Sequence, residues 1–325
     1  MINIALCFDN NFVRQAGVLI KSIICSNPEN QITFYCVSDS ISQENKASLE
    51  NVCENSNAKV DFRSLDITKM SNFPVRKRDH ISLATYYRLL LPLILPEELD
   101  RVLYLDCDMI CVDDLLNFYN TDLEEKSCAI TADMFYDDYR ITERLLYPVE
   151  EHYFNAGMLL VNLKYWREHD TSKKLMTFIT ENKELCLAHD QDAINAVLHG
   201  TIKLAPARYN IQLDFLRKNP KNMIIKDHAV LEDALQSGHN PCIVHYTGPS
   251  KPWHIHSFNP YDPLFEFFQN KTIWKGTPAC HEFSGYMLFK KYTKIVLEKL
   301  HLMKKLKDYY IDVSAEIADI KQKYK

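Results

Sequence analysis

Glycine is scarce in this chain, which contains seven among 325 residues. No segment fits the patterns GxGxxG or GxxxxGK[ST], in which glycines let backbone amides approach a phosphate closely. This absence excludes the dinucleotide-binding fingerprint and the P-loop. A nucleotide bound by this protein would therefore need another counter-charge for its phosphates.

Long apolar runs are also missing. The longest candidate, residues 89–95, is interrupted by Pro92, whereas a membrane helix needs about 18 consecutive apolar residues. The N-terminus, MINIALCFDNN, has no basic segment, and Asp9 ends its apolar run too early for a signal peptide. We therefore predict that the chain is not transmembrane.

The chain has no excess charge of one sign and no paired-cysteine motif. Its formal net charge of -5 gives no electrostatic argument for nucleic acid as a partner. The ten cysteines include no CxxC pair, and free thiols in apolar runs behave as small hydrophobes. We therefore expect a reducing, cytoplasmic setting. Five of the cysteines lie in apolar, strand-like runs: Cys7, Cys36, Cys107, Cys128 and Cys242.

Short apolar runs alternate with helix-period segments through roughly the first 200 residues. This alternation is typical of βαβ units around a mostly parallel sheet, so the predicted fold class is α/β. Residues 205–240 show no clear period and are expected to be loops with local structure. The predicted strands are residues 2–8, 32–37, 60–65, 101–105, 129–132, 158–163 and 243–246, and the predicted helices are 13–26, 42–53, 84–91, 164–181 and 190–199.

The segment RVLYLDCDMICV, residues 101–112, ends an apolar strand in two carboxylates. Ligands of open α/β sheets bind beyond the carboxyl ends of the strands. Alternate residues of an extended segment share a face, so Asp106 and Asp108 should point the same way, with Cys107 turned inward. Oxygen ligands suit Mg²⁺ or Mn²⁺. The alternative is a simple acidic turn.

Two further segments carry candidate polar groups. In HYTGPSKPWH, residues 245–254, His245 could be a third metal ligand, Gly248 permits close backbone approach, and Lys251 is a point charge for phosphate. In LAHDQDAIN, Asp190 and Gln191 open a helix. The alternatives are a Pro/Gly turn with a solvated lysine in the first segment and an N-cap role for Asp190 in the second.

Seven segments in this order resemble the retaining glycosyltransferases of family eight, which include bacterial lipopolysaccharide galactosyl- and glucosyltransferases. The resemblance covers about residues 1–260. It implies a single Rossmann-like nucleotide-sugar-binding domain of GT-A type, with residues 261–325 as a helical extension. The segments are ALCFDNNF, HISLATYYRLLLP, RVLYLDCDMI, AITAD, YFNAGMLLVNLKYW, HDQDAIN and HYTGPSKPWH.

The resemblance also implies roles for individual residues. A UDP-hexose donor and a saccharide or glycolipid acceptor would be the partners, and Mn²⁺, with Mg²⁺ as the alternative, would be the cofactor. Gln191, Asp190 and Lys251 would be the catalytic candidates. The implied metal ligands are Asp106, Asp108 and His245, and the implied donor contacts are Cys7, Asp9, Asn11, Arg88, Asp106, Cys107, Asp133, Asn155, Asp190, Gln191, Gly248 and Lys251.

Retention of configuration requires either a nucleophile on the far face of the sugar or front-side attack within an ion pair. Asp190 and Gln191 are the residues nearest to the first role. An amide is a poor nucleophile, so we favour the front-side route.

The C-terminal extension is strongly basic. Residues 286–307 contain seven lysines and one acid, Glu298, which gives a local net charge of +6. A basic amphipathic helix at residues 286–310 would attach to an anionic membrane surface, on the inner face of the cell membrane. The alternative is a helix packed on the catalytic domain with its lysines in solvent.

Two other functions fit parts of the sequence. LYLDCDM satisfies the local pattern of a phosphohydrolase with an aspartate nucleophile, although no later lysine or DD motif is apparent. A non-catalytic protein that binds nucleotide-sugars would keep the same fold. The choice between glucose and galactose rests on the hydrogen bonds of one hydroxyl, so it stays open with the acceptor and the linkage.

Overall fold

The computed structural model describes residues 1–65, 83–255, 257–281, 292–293, 297 and 306–325. Its centre is a seven-stranded sheet with the order β3-β2-β1-β4-β7-β6-β8, beside a two-stranded ribbon of β5 and β9. The strands are β1 (Ile2–Cys7), β2 (Ile32–Ser38), β3 (Ala58–Ser64), β4 (Arg101–Leu105), β5 (Met109–Cys111), β6 (Cys128–Ala132), β7 (Phe154–Asn162), β8 (Ile202–Ala205) and β9 (Ile243–His245).

Most neighbouring strands run in parallel, which confirms the predicted α/β class. β3, β2, β1 and β4 are mutually parallel, as are β6 and β8. β7 runs antiparallel to both β4 and β6. The central strands read as continuous apolar runs because both faces of the sheet are covered.

Helices cover both faces of the sheet. Within the described ranges the α-helices are α1 (Val13–Ser26), α2 (Gln43–Cys53), α3 (Leu91–Ile94), α4 (Leu116–Tyr119), α5 (Tyr139–Arg144), α6 (Leu163–Glu168), α7 (Thr171–Glu181), α8 (His189–Leu198), α9 (His228–Ser237), α10 (Asp262–Gln269) and α11 (Ser314–Lys323). The 3₁₀ turns are Leu83–Leu90, Ala207–Tyr209, Leu213–Leu216, Pro220–Asn222 and Leu306–Tyr309.

The predicted helix bounds were right for α1 and wrong at two other places. The single helix predicted over residues 164–181 is two helices, because Asp170 adopts a left-handed φ of 51° between them. The helix predicted to stop before Pro92 instead continues as α3, where Pro92 occupies the first turn. Proline is tolerated there because the first-turn N–H groups have no intrahelical partner.

The second helix begins where its cap predicts. The Ser42 hydroxyl accepts a hydrogen bond from the backbone N–H of Asn45 at 3.2 Å. This bond satisfies one of the unpaired amides of the first turn.

The residues after 260 share the core of the sheet domain. Leu264, Phe265 and Phe268 of α10 are buried in the same apolar cluster as the strands. Trp274 lies against Gly17 of α1, where a Cβ would come within 2.2 Å of the indole. The basic helix predicted over residues 286–310 falls largely outside the described residues.

The end of the chain returns to the domain. Tyr310 forms a β-bridge with Arg217, and the Tyr324 hydroxyl donates to the carbonyl of Val112 at 2.8 Å. No helix in the described ranges is long and apolar enough to span a bilayer.

Candidate active site

The site lies at the carboxyl ends of β1 and β4, the neighbouring strands at which the strand order changes direction. Leu6 pairs with Leu105, so the chain leaves both strands at the same level. Asp106 follows β4 directly, and Asp9 lies two residues after β1. This position is the expected ligand crevice of an open α/β sheet.

Three ligating groups from two segments converge there. Asp106, Asp108 and His245 each offer one atom, and these atoms lie within 4.8 Å of one another. Their meeting follows from the ribbon, in which Met109 of β5 pairs with His245 of β9. The Nε2 atom of His245 lies 3.3 Å from Oδ1 of Asp108 and 3.9 Å from Oδ2 of Asp106. As the DxD spacing predicts, Cys107 is buried between the two aspartates.

Lys251 forms an ion pair with the other carboxylate oxygen of Asp108. Its Nζ lies 2.6 Å from Oδ2 of Asp108 and donates to the carbonyl of Tyr246 at 2.7 Å. Burial opposes ionisation of Asp108, but the positive charge of Lys251 and the His245 imidazole together hold its pKa far below the usual range. These partners therefore favour the ionised form of Asp108.

Asp106 is also bonded through one oxygen. Its Oδ1 accepts a hydrogen bond from the Tyr104 hydroxyl at 2.6 Å and lies 2.9 Å from Nη2 of Arg88. One carboxylate oxygen of each aspartate is thus bonded to other side chains, and the second oxygen faces His245. The three remaining atoms are Asp106 Oδ2, Asp108 Oδ1 and His245 Nε2, two hard oxygens and one imidazole nitrogen that suit Mn²⁺ or Mg²⁺.

Arg88 connects Asp106 to Asp190. Its Nε lies 2.8 Å from Oδ2 of Asp190, and its Nη1 donates to the carbonyl of Ala156 at 2.6 Å. The Thr85 hydroxyl holds the other oxygen of Asp190 at 2.8 Å. Burial raises the pKa of Asp190, and the Arg88 charge opposes this shift.

Asp190 does not cap its helix. Helix α8 begins at His189 with Ala188 as its N-cap residue, and Oδ2 of Asp192 accepts the Ala188 N–H at 2.7 Å. The capping interpretation of Asp190 is therefore wrong, and its carboxylate is directed into the site instead.

Gln191 and Asp133 form a second polar cluster beside the first. The Nε2 of Gln191 donates to Oδ2 of Asp133 at 3.3 Å and to the Tyr153 hydroxyl at 3.0 Å, while its Oε1 accepts the backbone N–H of Ala156 at 3.0 Å. The Nδ2 of Asn155 donates to Oδ2 of Asp133 at 3.0 Å. Burial raises the pKa of Asp133, and the hydrogen bonds from these amide donors only partly oppose this shift.

Gly157 allows the ring of His245 to reach the site. A Cβ on Gly157 would lie 2.3 Å from Cε1 of His245, well inside van der Waals contact. The Gly157 carbonyl accepts the backbone N–H of Asp106 at 2.8 Å. A side chain at position 157 would therefore displace either the imidazole or the strand that carries Asp106.

The residues predicted to hold the nucleotide lie at the rim of the same crevice. Asp9 is half-buried and accepts the Asn11 backbone N–H at 2.8 Å, whereas Asn11 is exposed. Cys7 is buried at the end of β1, and burial raises the pKa of its thiol. Gly248 is exposed with a left-handed φ of 82°.

Several site residues were not predicted from the sequence. Tyr104 and Thr85 hold the two acids described above, and Asn210 contacts Nδ1 of His245 at 2.9 Å. Tyr104 could have been found, because it precedes Asp106 by two residues on one strand face. Asn210 lies in a segment without periodicity, which gave no signal.

The fold and the site together are those of a GT-A-type glycosyltransferase. A model of the family "Glycosyl transferase family 8" matches residues 3–256, and the chain belongs to glycosyltransferase family 8. This membership confirms the resemblance of the seven segments, and the phosphohydrolase alternative is set aside.

Three similar proteins place the chain within this family. General stress protein A of Bacillus subtilis is 27% identical over 290 residues, which cover 87% of this chain and 98% of that protein. The lipopolysaccharide 1,3-galactosyltransferase of Salmonella typhimurium is 24% identical over 291 residues, 88% of this chain and 83% of that protein. The crystal structure of the galactosyltransferase LgtC in complex with donor and acceptor sugar analogues has a TM-score of 0.74 at 26% identity and covers 89% of this chain and 100% of that chain.

Proposed function

We propose that this protein transfers a hexose, glucose or galactose, from a UDP-sugar to a glycan or glycolipid acceptor, such as a lipopolysaccharide core, with retention of configuration. The observation that carries the proposal is the convergence of Asp106 Oδ2, Asp108 Oδ1 and His245 Nε2. Beside these atoms lies a cluster of buried polar side chains that would contact the hydroxyls of a hexose. The similar proteins named above include a galactosyltransferase of lipopolysaccharide and one crystallised with sugar analogues.

The donor set fits a divalent cation such as Mn²⁺. Two carboxylate oxygens and one imidazole nitrogen face a common point, and each aspartate is held in place through its other oxygen. Bound there, the cation would neutralise the charge that develops on the UDP leaving group, usually the largest single contribution to such catalysis.

Lys251 supplies the second positive charge at this place. In the structure it is paired with Asp108, and its flexible side chain starts from the loop that contains Gly248. When the diphosphate enters, we expect the Lys251 ammonium to move from Asp108 to the phosphate oxygens. The Gly248 backbone, which has no side chain to obstruct it, would approach the diphosphate from the same loop.

The hexose would lie between the Arg88–Asp190 pair and the cluster of Asp133, Asn155 and Gln191. These buried groups present both donors and acceptors at fixed positions. Orientation by several hydroxyl contacts makes attack effectively intramolecular. The uracil and ribose would lie at Asp9 and Asn11, beyond the end of β1.

The geometry supports front-side attack over a covalent intermediate. The amide oxygen of Gln191 already accepts a backbone N–H from Ala156. Oδ1 of Asp190 accepts a hydrogen bond from the Thr85 hydroxyl, and Oδ2 is ion-paired with Arg88 but accepts no hydrogen bond in the described structure. Neither group is free to approach an anomeric carbon as a nucleophile without breaking these contacts.

Residues 205–240 would determine the acceptor. They include α9 and three 3₁₀ turns, and the backbone N–H of Leu213 donates to the Thr247 hydroxyl of the His245 loop at 3.1 Å. We also propose that residues 1–260 form the catalytic domain, with residues 261–325 as an extension that packs against it. Cytoplasmic localisation belongs to this proposal, because UDP-sugars are expected donors there.

We also propose that the protein attaches to an anionic membrane surface. The basic residues lie within 286–307. The described residues on either side of this segment pair with earlier parts of the chain: Cys280 forms a β-bridge with His254, and Tyr310 forms one with Arg217. Lysines near such a surface contribute about 1 kcal/mol each. A charge of +6 on this segment is therefore enough to favour peripheral binding.

The reaction is tested by UDP release from a panel of nucleotide-sugars, with Mn²⁺ and with EDTA. We expect turnover of UDP-glucose or UDP-galactose that EDTA abolishes and that Asp108→Ala loses. Asp61→Ala is the matched control, since Asp61 lies on β3 and pairs with the half-buried Arg63. The anomeric configuration of the product, read by NMR, tests retention.

Three outcomes would contradict parts of this proposal. Donor binding without release of UDP or transfer would indicate a non-catalytic binding protein. Full turnover in EDTA would show that the reaction does not require a metal. A sugar trapped covalently on Asp190 or Gln191 would exclude the front-side route.

Membrane attachment is tested with vesicles. Replacing the seven lysines of residues 286–307 by glutamine should abolish cosedimentation with anionic vesicles and leave the UDP release unchanged. Equal binding of the wild-type chain to neutral and anionic vesicles would contradict the proposal.

A further inference from the structure

Asn210 is buried completely and contacts the metal-ligand candidate His245 from behind. Its Oδ1 lies 2.9 Å from Nδ1 of His245. Its Nδ2 donates to Oδ1 of Asn155 at 3.0 Å and to the Thr131 hydroxyl at 2.9 Å. The amide therefore links the metal-binding group to the polar cluster that faces the sugar.

The orientation of both amides is fixed by a backbone group. The N–H of Gly157 donates to Oδ1 of Asn155 at 3.1 Å, and because a backbone N–H can only donate, this atom of Asn155 must be its oxygen. Asn210 must then present its NH₂ to Asn155. Its oxygen is left facing His245.

The amide oxygen of Asn210 determines the tautomer of the imidazole. An amide oxygen only accepts hydrogen bonds, so Nδ1 of His245 must carry the proton. In the neutral ring Nε2 then carries no proton. It faces Asp106 and lies 3.3 Å from Oδ1 of Asp108, and a cation between these two acceptors would join them. The opposite tautomer would place two acceptors 2.9 Å apart in a buried site and direct an N–H at the metal position.

We infer that Asn210 is a positioning residue that holds His245 in the Nδ1–H tautomer and thereby keeps Nε2 available to a divalent cation. Gly157 completes this arrangement by donating to Asn155 and by leaving room for the ring. The sugar-side residue Asn155 and the metal side are thus connected through one hydrogen-bonded chain. This inference rests on the proposed metal-dependent function.

Outer-shell partners of metal-bound histidines typically contribute 10–100-fold to metal affinity. We therefore expect Asn210→Leu, which keeps the branched shape and loses all three hydrogen bonds, to weaken Mn²⁺ binding by about 10–100-fold. Asn210→Asp keeps an acceptor toward Nδ1 but places its second oxygen against Oδ1 of Asn155, so its affinity should fall between those of Asn210→Leu and the wild type. Asn3→Leu is the matched control, because Asn3 is also buried and bonded, to the Tyr119 hydroxyl at 3.1 Å.

The experiment measures free Mn²⁺ by electron paramagnetic resonance during titration of each variant with UDP present. In parallel, long-range ¹H–¹⁵N NMR of the metal-free wild type, assigned with His245→Gln, reports the tautomer at a pH where the ring is neutral. An Nε2–H signal for His245, or equal affinity in Asn210→Leu and the wild type, would overturn the inference. If the wild type binds no Mn²⁺, the proposed metal dependence fails, and the NMR signal still decides the tautomer.

Discussion

The guanidinium of Arg88 lies between two carboxylates, 2.9 Å from Asp106 and 2.8 Å from Asp190. The arginine is buried and also lies over the Tyr104 ring at 4.4 Å. Burial alone would lower its pKa, but the two negative charges raise it. A single cation thus pairs with two acids that come from different segments of the chain.

We expect Arg88→Ala to destabilise the fold by about 3–5 kcal/mol, because it leaves two charges in the interior without their partner. Arg88→Lys should recover only part of this loss, since an ammonium cannot bridge both acids with a planar fork. Urea unfolding followed by circular dichroism measures both changes.

Arg140→Ala is the control for Arg88. It removes an ion pair with Asp138 in which 65% of the arginine side chain is exposed, so we expect a much smaller loss of stability than for Arg88→Ala. Equal costs for the two substitutions would contradict a bridging role of Arg88.

The contact of Gly157 with His245 predicts a large effect of one added methyl group. Gly157→Ala should weaken Mn²⁺ binding strongly, because its Cβ would overlap the imidazole. Gly248→Ala is the comparison: no atom lies within 4 Å of its Cβ, and only its left-handed φ of 82° is unfavourable, which costs about 1 kcal/mol. Isothermal titration with Mn²⁺ should separate the two variants, and similar affinities would show that the ring can move aside.

Asp262 predicts a pH dependence of stability. Burial raises the pKa of its carboxyl to about 7 from an ordinary 3.8, and Oδ1 is buried without a hydrogen-bond partner in the described structure. Between these two values the folded state binds more protons than the unfolded state, so its stability falls as the pH rises through this window and levels off above it.

Asp262→Asn removes this titration. The difference in unfolding free energy between variant and wild type should grow in favour of the variant from pH 4 to pH 7, by on the order of 1–3 kcal/mol. Urea unfolding at several pH values measures it. A difference that stays constant across this range would contradict the raised pKa.

The packing of α10 predicts the effect of truncation. A chain that ends at residue 260 loses Leu264, Phe265 and Phe268 from the core that surrounds the sheet, each worth about 1.5–3 kcal/mol of burial. We expect this chain to be unstable or to aggregate, measured as a loss of soluble, cooperatively unfolding protein. A stable truncated chain that still binds UDP would instead make residues 1–260 an independent domain.

Much of the fold could be predicted from the sequence because local patterns specify it. The apolar runs ending at Leu105 and near Cys7 predicted two strands, and the Ser42 cap predicted the start of α2. Residues 205–240 were harder. Their elements are short, and α9 was missed because its exposed face obscures the helical period.

The sequence by itself determined the fold class, the positions of Asp106 and Asp108 at the end of an apolar strand, and the set of candidate polar residues. These depend on periodicity and spacing, which act over a few residues. Only the tertiary structure decided which atoms meet. Arg88 pairs with Asp190, and Asn210 with His245, across separations of 102 and 35 residues. Strand order and the register of the β5–β9 ribbon bring these residues together. Such contacts leave no local pattern in the sequence, because hydrogen bonds between distant segments depend on how the elements pack.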